Sequence, residues 1–344
     1  MSSEELARQV SLLEEPATAA ALDKWSRQLA PVMQSRLRDL AASGEARKLY
    51  VAGRLWDTAQ VDADPEDSGT IPQSSRQSVA WLQAAIDARP RDPLVARVEQ
   101  AACPQGVSCD TAGALRFLLE AEPDNAEIQL RAMHDAQRRG DAAGSEHHWQ
   151  AAVLSTRYDA SALPLARELH EAYRGLTLPL PAQDVAVMLE RVVSLGLSVD
   201  PQAIADIEAM NLFATQAMPS FQGLLQHCRA PASDAQRDEC MSLLGLMADD
   251  ESTLIGPIVA LKMMVDLTAG TQNQAPWAQR LRELKWLQQS IAPLTSQPSP
   301  LPGGTMADYF DVFLREGELA TYWELLRAND LPLVPPEGWQ ASRQ

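Results

Sequence analysis

Apolar residues recur along most of the chain at spacings of three and four, the period of a helix with one buried face. Leu6, Val10 and Leu13 begin this pattern. Leu22, Trp25, Leu29, Val32, Met33 and Leu37 repeat it, so residues 1–43 read as two helices with Pro16 and Pro31 as punctuation or first-turn residues. Residues 47–60 form the next helix, with Leu49, Ala52, Leu55 and Trp56 on one face. Ser74 or Ser75 caps a helix running to about Ala88, with Val79, Leu82 and Ile86 inward. No segment alternates apolar and polar residues with the period of two that a half-buried strand needs. The expected class is all-α, built of stacked antiparallel helical hairpins with no sheet.

The pattern breaks at Gly175-Leu176-Thr177-Leu178-Pro179-Leu180-Pro181, which suggests a boundary. Beyond it, Val185, Met188, Leu189, Val192 and Leu195 mark a helix stopped by Gly196. A longer helix is expected over 202–226, with Ile204, Ile207, Met210 and Ala214 in a row. Ser233-x-x-Gln236 has the form of a capping box and opens the helix that carries Cys240. Two more helices follow over 252–268 and 277–292, the second lined by Trp277, Leu281, Leu284, Leu287 and Ile291. Residues 293–304, rich in Pro and Gly, read as a loop before the last helices, which carry Tyr309, Phe313, Tyr322 and Trp323. The tail from Leu331 is Pro-rich and contains Trp339. These breaks divide the chain into regions 1–175, 176–297 and 305–344.

One joint recurs. Ile86-Asp87-Ala88-Arg89-Pro90-Arg91-Asp92 aligns with Leu119-Glu120-Ala121-Glu122-Pro123-Asp124-Asn125, and Pro90 and Pro123 stand 33 residues apart. Val95 then falls opposite Ile128, and Thr156-Arg157-Tyr158-Asp159 is a degenerate third joint. Gly140-Asp141 provides a turn between helices. On these residues the stretch of roughly 45–175 resembles degenerate tetratricopeptide-type repeats, whose period is about 34 residues. The Trp, Leu-Gly and Tyr positions of the full pattern do not line up. The resemblance implies an α-solenoid of stacked hairpins with a concave face that binds protein or peptide.

Charge narrows the partners. The chain carries a net charge of −17 and only four lysines, Lys24, Lys48, Lys262 and Lys285. Such a surface repels phosphate backbones, so nucleic acid is not an expected partner. It suits a basic protein, although acidic charge also serves plain solubility. The choice of Arg over Lys, with abundant Ala, is the pattern of a GC-rich coding bias found in many bacteria. No apolar run approaches the roughly 18 residues of a membrane span, and the acidic start Met1-Ser2-Ser3-Glu4-Glu5 has no secretory h-region.

The four cysteines form two local pairs, Cys103 with Cys109 and Cys228 with Cys240, each straddling a turn between expected helices. A disulfide at either place staples a hairpin, worth on the order of 2–3 kcal/mol for loops this short. The alternatives are reduced core thiols or a metal site, but the spacings are not the tight knuckle that zinc favours. If oxidised, the pairs imply an oxidising compartment. In a bacterium that is the periplasm, reached by a leader since removed; the alternative is the cytoplasm.

Reactive constellations are missing. There is no G-x-S-x-G elbow, S-x-x-K, H-E-x-x-H or phosphate-binding glycine loop, so no catalytic, cofactor-binding or metal-binding residue is assigned. Asp62-x-Asp64-x-Glu66 fails as a calcium loop, with Asp67 where Gly is required and Gln73 where a bidentate Glu is required. Glu146-His147-His148 is the one histidine cluster, and it reads as a solvated helix face. His170, between Glu168 and Glu171, reads as a surface ion pair. The C-terminal aromatics read as core. The sequence therefore points to a non-enzymatic binding module, for example an inhibitor, an immunity-like protein or an envelope assembly factor. The alternative is an all-α enzyme, perhaps glycan-acting, that works through two carboxylates in a cleft.

Overall fold

The computed structural model describes residues 16–59, 76–194, 201–216, 221–295, 301–302 and 306–341. The first expected helix with Leu6, the acidic loop beyond Ala59, the Ser74 or Ser75 cap and Gly196 lie outside these residues. Among the described residues the chain is all-α: sixteen helices and one short 3-10 turn, Asp57–Ala59, with no strand. A lone bridge joins Asn125 to Arg157. The chain divides into two compact units, each made of two segments: Met1–Thr111 with Pro164–Leu212, and Ala112–Leu163 with Phe213–Gln344.

The first unit contains α1 (Pro16–Ala42), α2 (Ala46–Trp56), α3 (Arg76–Asp87) and α4 (Pro93–Ala101). It also holds nearly all of α8 (Leu163–Glu171), α9 (Gln183–Ser194) and the first three turns of α10 (Pro201–Gln216). Its centre is α2, which packs on α1, α3 and α4. Burial there goes beyond the single stripe expected, because Tyr50, Val51 and Gly53 are buried along with Leu49, Ala52, Leu55 and Trp56. Gly53 explains the close approach of α3: a Cβ at that position would stand 2.6 Å from Leu82 Cγ. Ser78 Oγ–H donates to the Gly53 carbonyl at 2.7 Å across the same contact.

The second unit contains α5 (Thr111–Ala121), α6 (Ala126–Arg138), α7 (Ala142–Val153), α11 (Phe221–Cys228), α12 (Asp234–Ala248), α13 (Ile255–Leu267), α14 (Gln274–Thr295), α15 (Met306–Glu316) and α16 (Glu318–Ala328). Consecutive helices pack as hairpins, α6 on α7, α12 on α13 and α13 on α14, while α12 also meets α7 and α11 meets α6. Gly140 turns the α6–α7 corner with φ +72°, a conformation glycine adopts without steric cost. Asp141 then caps α7 by accepting from the Gly144 N–H at 2.8 Å. The core gathers Leu130, Met133, Trp149, Leu224, Leu243, Met247, Leu261 and Met264. Tyr309 and Phe313 are buried, and Tyr322 and Trp323 are half-buried, as core aromatics should be.

The two aligned joints share a local device. Asp92 caps α4, its side chain accepting from the Leu94 and Val95 N–H groups, and Asn125 caps α6 by accepting from the Glu127 N–H. These caps stand two residues after Pro90 and Pro123 respectively, and Val95 and Ile128 are both buried just beyond them.

Two helices run through prolines because those prolines sit on exposed faces. Pro31 lies inside α1 and Pro293 inside α14, and both are solvent-facing. A carbonyl left unbonded on that side can take water, so the helix continues. Pro293 therefore does not begin a loop; α14 runs on to Thr295. The long helix expected over 202–226 is two helices, α10 and α11. Its expected stripe is also displaced: Ile207 is 57% exposed, whereas Ala205, Asp206, Ala209, Leu212 and Phe213 are buried.

Candidate binding surface

Both cysteine pairs stand at disulfide distance. The Cys103 and Cys109 sulfurs are 2.08 Å apart with Cα atoms 5.9 Å apart; those of Cys228 and Cys240 are 2.03 Å apart with Cα atoms 5.8 Å apart. Their settings differ. Cys103 is exposed, and its loop is held by side chains from the neighbouring helices. The Gln83 amide clamps Ser108, accepting from its N–H at 2.8 Å and donating to its carbonyl at 3.2 Å. Glu99, with its side chain 1% exposed, accepts from the Asp110 N–H at 2.9 Å and pairs with Arg91 at 3.3 Å. Burial pushes the Glu99 carboxyl above the usual carboxylate range, against the lowering effect of those two donors.

Cys228 and Cys240 are fully buried at the crossing of α11 and α12. Ser233 caps α12, accepting from the Gln236 N–H at 3.2 Å. Gln236 reaches back to the Ala232 N–H at 2.8 Å, one residue before the cap, so the capping box closes with a small shift. The His227 ring lies on Trp149 with centroids 3.8 Å apart, and the Trp149 indole N–H donates to Glu239 at 2.8 Å. Burial lowers the pKa of His227, whose neutral ring belongs to this packing.

His134 lies on α6, and His147 and His148 on α7. His147 is exposed, while His148 turns inward to Gln129, with 3.0 Å between Nδ1 and Oε1. Among the described residues no group of three or more His, Cys, Asp or Glu is placed to hold a metal. His170 corrects the surface ion pair expected for it. The ring is 3% exposed, with Nδ1 2.6 Å from Asp206 Oδ1. Arg174 donates toward Nε2 at 2.8 Å, which requires a lone pair there and assigns the proton to Nδ1. Gln202 completes the tie, donating to Asp206 at 2.8 Å and to the His170 carbonyl at 2.7 Å. Flanking glutamates in the sequence suggested a surface site; the real partners lie 32 and 36 residues away.

Among the described residues, two concave features of the second unit stand out. The smaller, about 300 Å³, is lined by Asp249, Glu251, Glu283, Arg280, Leu319 and Trp323. Arg280 is committed to Asp249 at 2.9 Å. Two neighbouring acids, Asp250 and Glu318, are pushed upward by burial. Both Glu318 oxygens are engaged, one by the Leu254 N–H at 2.5 Å and one by the Tyr322 hydroxyl at 2.9 Å.

The larger is a groove of about 740 Å³ flanked by α11 and α13. Phe221 and Leu225 supply one wall, Val259, Met263 and Leu267 the other, and the buried Cys228 contributes to its lining. Leu225 is 37% exposed and the other four are half-buried, which leaves apolar surface facing solvent. Lys262, Asp266 and Arg229 complete the rim. The sequence singled out none of these positions as a binding face. Helix α13 (IGPIVALKMMVDL) is apolar nearly all round, so periodicity cannot say which face is left uncovered. Lys262 breaking that apolar run was the one local signal.

No known protein family, curated protein or solved structure matches the chain.

Proposed function

We propose that this is a non-catalytic binding module, a helical-repeat protein of degenerate tetratricopeptide-like type, whose protein or peptide partner docks in the groove between α11 and α13. The observation that carries this reading is the groove itself: two helix walls whose partly exposed apolar residues, Phe221, Leu225, Val259, Met263 and Leu267, are gathered in one concavity, whereas the other exposed large apolar side chains among the described residues, such as Leu154, Leu180 and Ile207, line neither of the two clefts described above. Exposed apolar surface in a concave setting is characteristic of a recognition site. The equivalent caps Asp92 and Asn125 support the repeat reading. The two cysteine pairs support an oxidising compartment, the periplasm if the source is bacterial, where an inhibitor, immunity-like or assembly role fits. The net charge of −17 supports a partner that is basic overall.

The test is crosslinking capture in the source organism with the wild-type chain and a Met263→Glu variant of unchanged helicity. A partner held by the wild type and lost by the variant is expected. A partner held equally by both places docking elsewhere. A second reading rests on the three carboxylates of the smaller cleft, which an all-α glycan-acting enzyme would need. It requires turnover abolished by Glu251→Gln or Glu283→Gln and untouched by Met263→Glu.

A further inference from the structure

Resting on the docking reading above, we propose that the occupant of the groove is an amphipathic helix of a partner protein that carries a carboxylate beside its apolar face. The shape of the site argues for a helix. Val259, Met263 and Leu267 recur every fourth residue on α13, a stripe about 12 Å long at 1.5 Å per residue. The facing stripe on α11 is Phe221 and Leu225. The α13 wall accepts about two turns of a third helix, anchored by residues at i, i+3 or i+4, and i+7, with the shorter α11 stripe of about 6 Å closing on one of those turns. The exposed Leu225, Lys262 and Arg229 keep part of the lining in contact with water, which suits a ligand that keeps a polar face in water.

The rim argues for the carboxylate. Lys262 and Arg229 are exposed, and among the described residues neither side chain has a hydrogen-bond or ion-pair partner. In the same unit Arg131, Arg139, Arg157, Arg237, Arg280 and Arg327 each engage a carboxylate, while Arg116, Arg138 and Lys285 share the unpaired state of Lys262 and Arg229 but do not line the groove. Arg229 has a local reason to sit where it does, since a cation favours the C-terminal end of α11. Lys262 has none: it lies mid-helix in α13, between apolar residues that line the groove. The single rim acid, Asp266, leaves a net positive edge on a chain that is strongly negative overall. A partner that is basic overall is drawn by the long-range field, and one acidic position on its docking helix then fixes the register against Lys262.

The experiment uses the full chain and a displayed library of helix-forming peptides with three fixed leucines and randomised edge positions. Selection on the wild-type protein should enrich Glu or Asp at one edge position. In anisotropy titrations of a selected peptide, Lys262→Glu should weaken binding by about five- to tenfold, the size of an exposed ion pair lost and replaced by a like-charge contact. Changing the peptide's Glu to Lys should restore it on that variant. Met263→Glu should remove binding altogether. If peptides are enriched and blocked by Met263→Glu but show no acidic preference or a basic one, the carboxylate inference is overturned and the docking reading stands. If no peptide is enriched above the Met263→Glu control, the docking reading falls with it. Should dodecanoate bind with the Lys262 dependence while peptides do not, the occupant is a lipid-like carboxylate and the helix assignment is overturned.

Discussion

The two cysteine clasps use the same bond to do different things. Cys103–Cys109 closes an exposed loop, and its surroundings are polar: the Gln83 amide, the Glu99 carboxyl and a run of turn hydrogen bonds. Cys228–Cys240 is buried among Leu224, Leu243, Leu244 and Trp149, with Cys228 at the floor of the groove. In the first, the covalent bond stands in for a core that the loop cannot build. In the second, it reinforces a crossing that packing already defines. The ionisable neighbours differ as well, a buried acid raised beside the outer clasp and a half-buried base lowered beside the inner one.

That contrast can be broken or sharpened by measurement. The largest effect should come from packing around the inner clasp. Trp149→Ala empties a side chain that is 1% exposed and should cost about 3–5 kcal/mol in urea unfolding, as large aromatic truncations do. A cost under about 1 kcal/mol would mean the bond, not the core, holds α11 to α12. Replacing both Cys228 and Cys240 with Ala should cost about 3 kcal/mol, and replacing Cys103 and Cys109 about 2 kcal/mol, following loop length. Equal or reversed costs would show that strain or residual unfolded-state order outweighs loop closure. Under native conditions dithiothreitol should open Cys103–Cys109 first, because attack needs access and Cys228–Cys240 is 0% exposed. Mass spectrometry after alkylation reads the order directly.

The smallest effect is the pH slope. The depressed His227 pKa means the unfolded chain takes up a proton first as pH falls through its ordinary value of about 6.5. Stability from His227 is therefore present above that pH and lost below it. Glu99 has the opposite sign: its raised pKa means the folded state holds the proton longer, so stability falls as pH rises above about 4.3 toward the folded value. Urea midpoints from pH 8 to 4 should show a loss below about 6.5 that His227→Gln reduces. An unchanged slope in that variant would remove His227 as its source.

Helical periodicity locates most of the helices because amphipathic faces repeat locally, although it merges α10 and α11. The capping box at Ser233 and the pairing of the cysteines were legible for the same reason: each device acts within about a dozen residues. What escaped depends on partners far along the chain. His170 sits beside two glutamates in sequence, yet its burial is set by Asp206 and Gln202 on another helix. Pro293 reads as the start of a loop, and Pro31 as punctuation or a first-turn residue, because sequence does not show that each sits on an exposed helix face. The groove was hidden for a different reason. A uniformly apolar helix such as α13 does not announce which of its faces its neighbours fail to cover.

The interleaved segments bear on how the chain matures. Pro164–Leu212 belongs to the unit begun by Met1–Thr111, and the intervening Ala112–Leu163 belongs to the other. A ribosome delivering residues in order cannot finish either unit before the other has begun. Neither can be completed as a contiguous nascent fragment, so early segments must wait, open, for late ones. A chain with that dependence gains from a holding chaperone during synthesis.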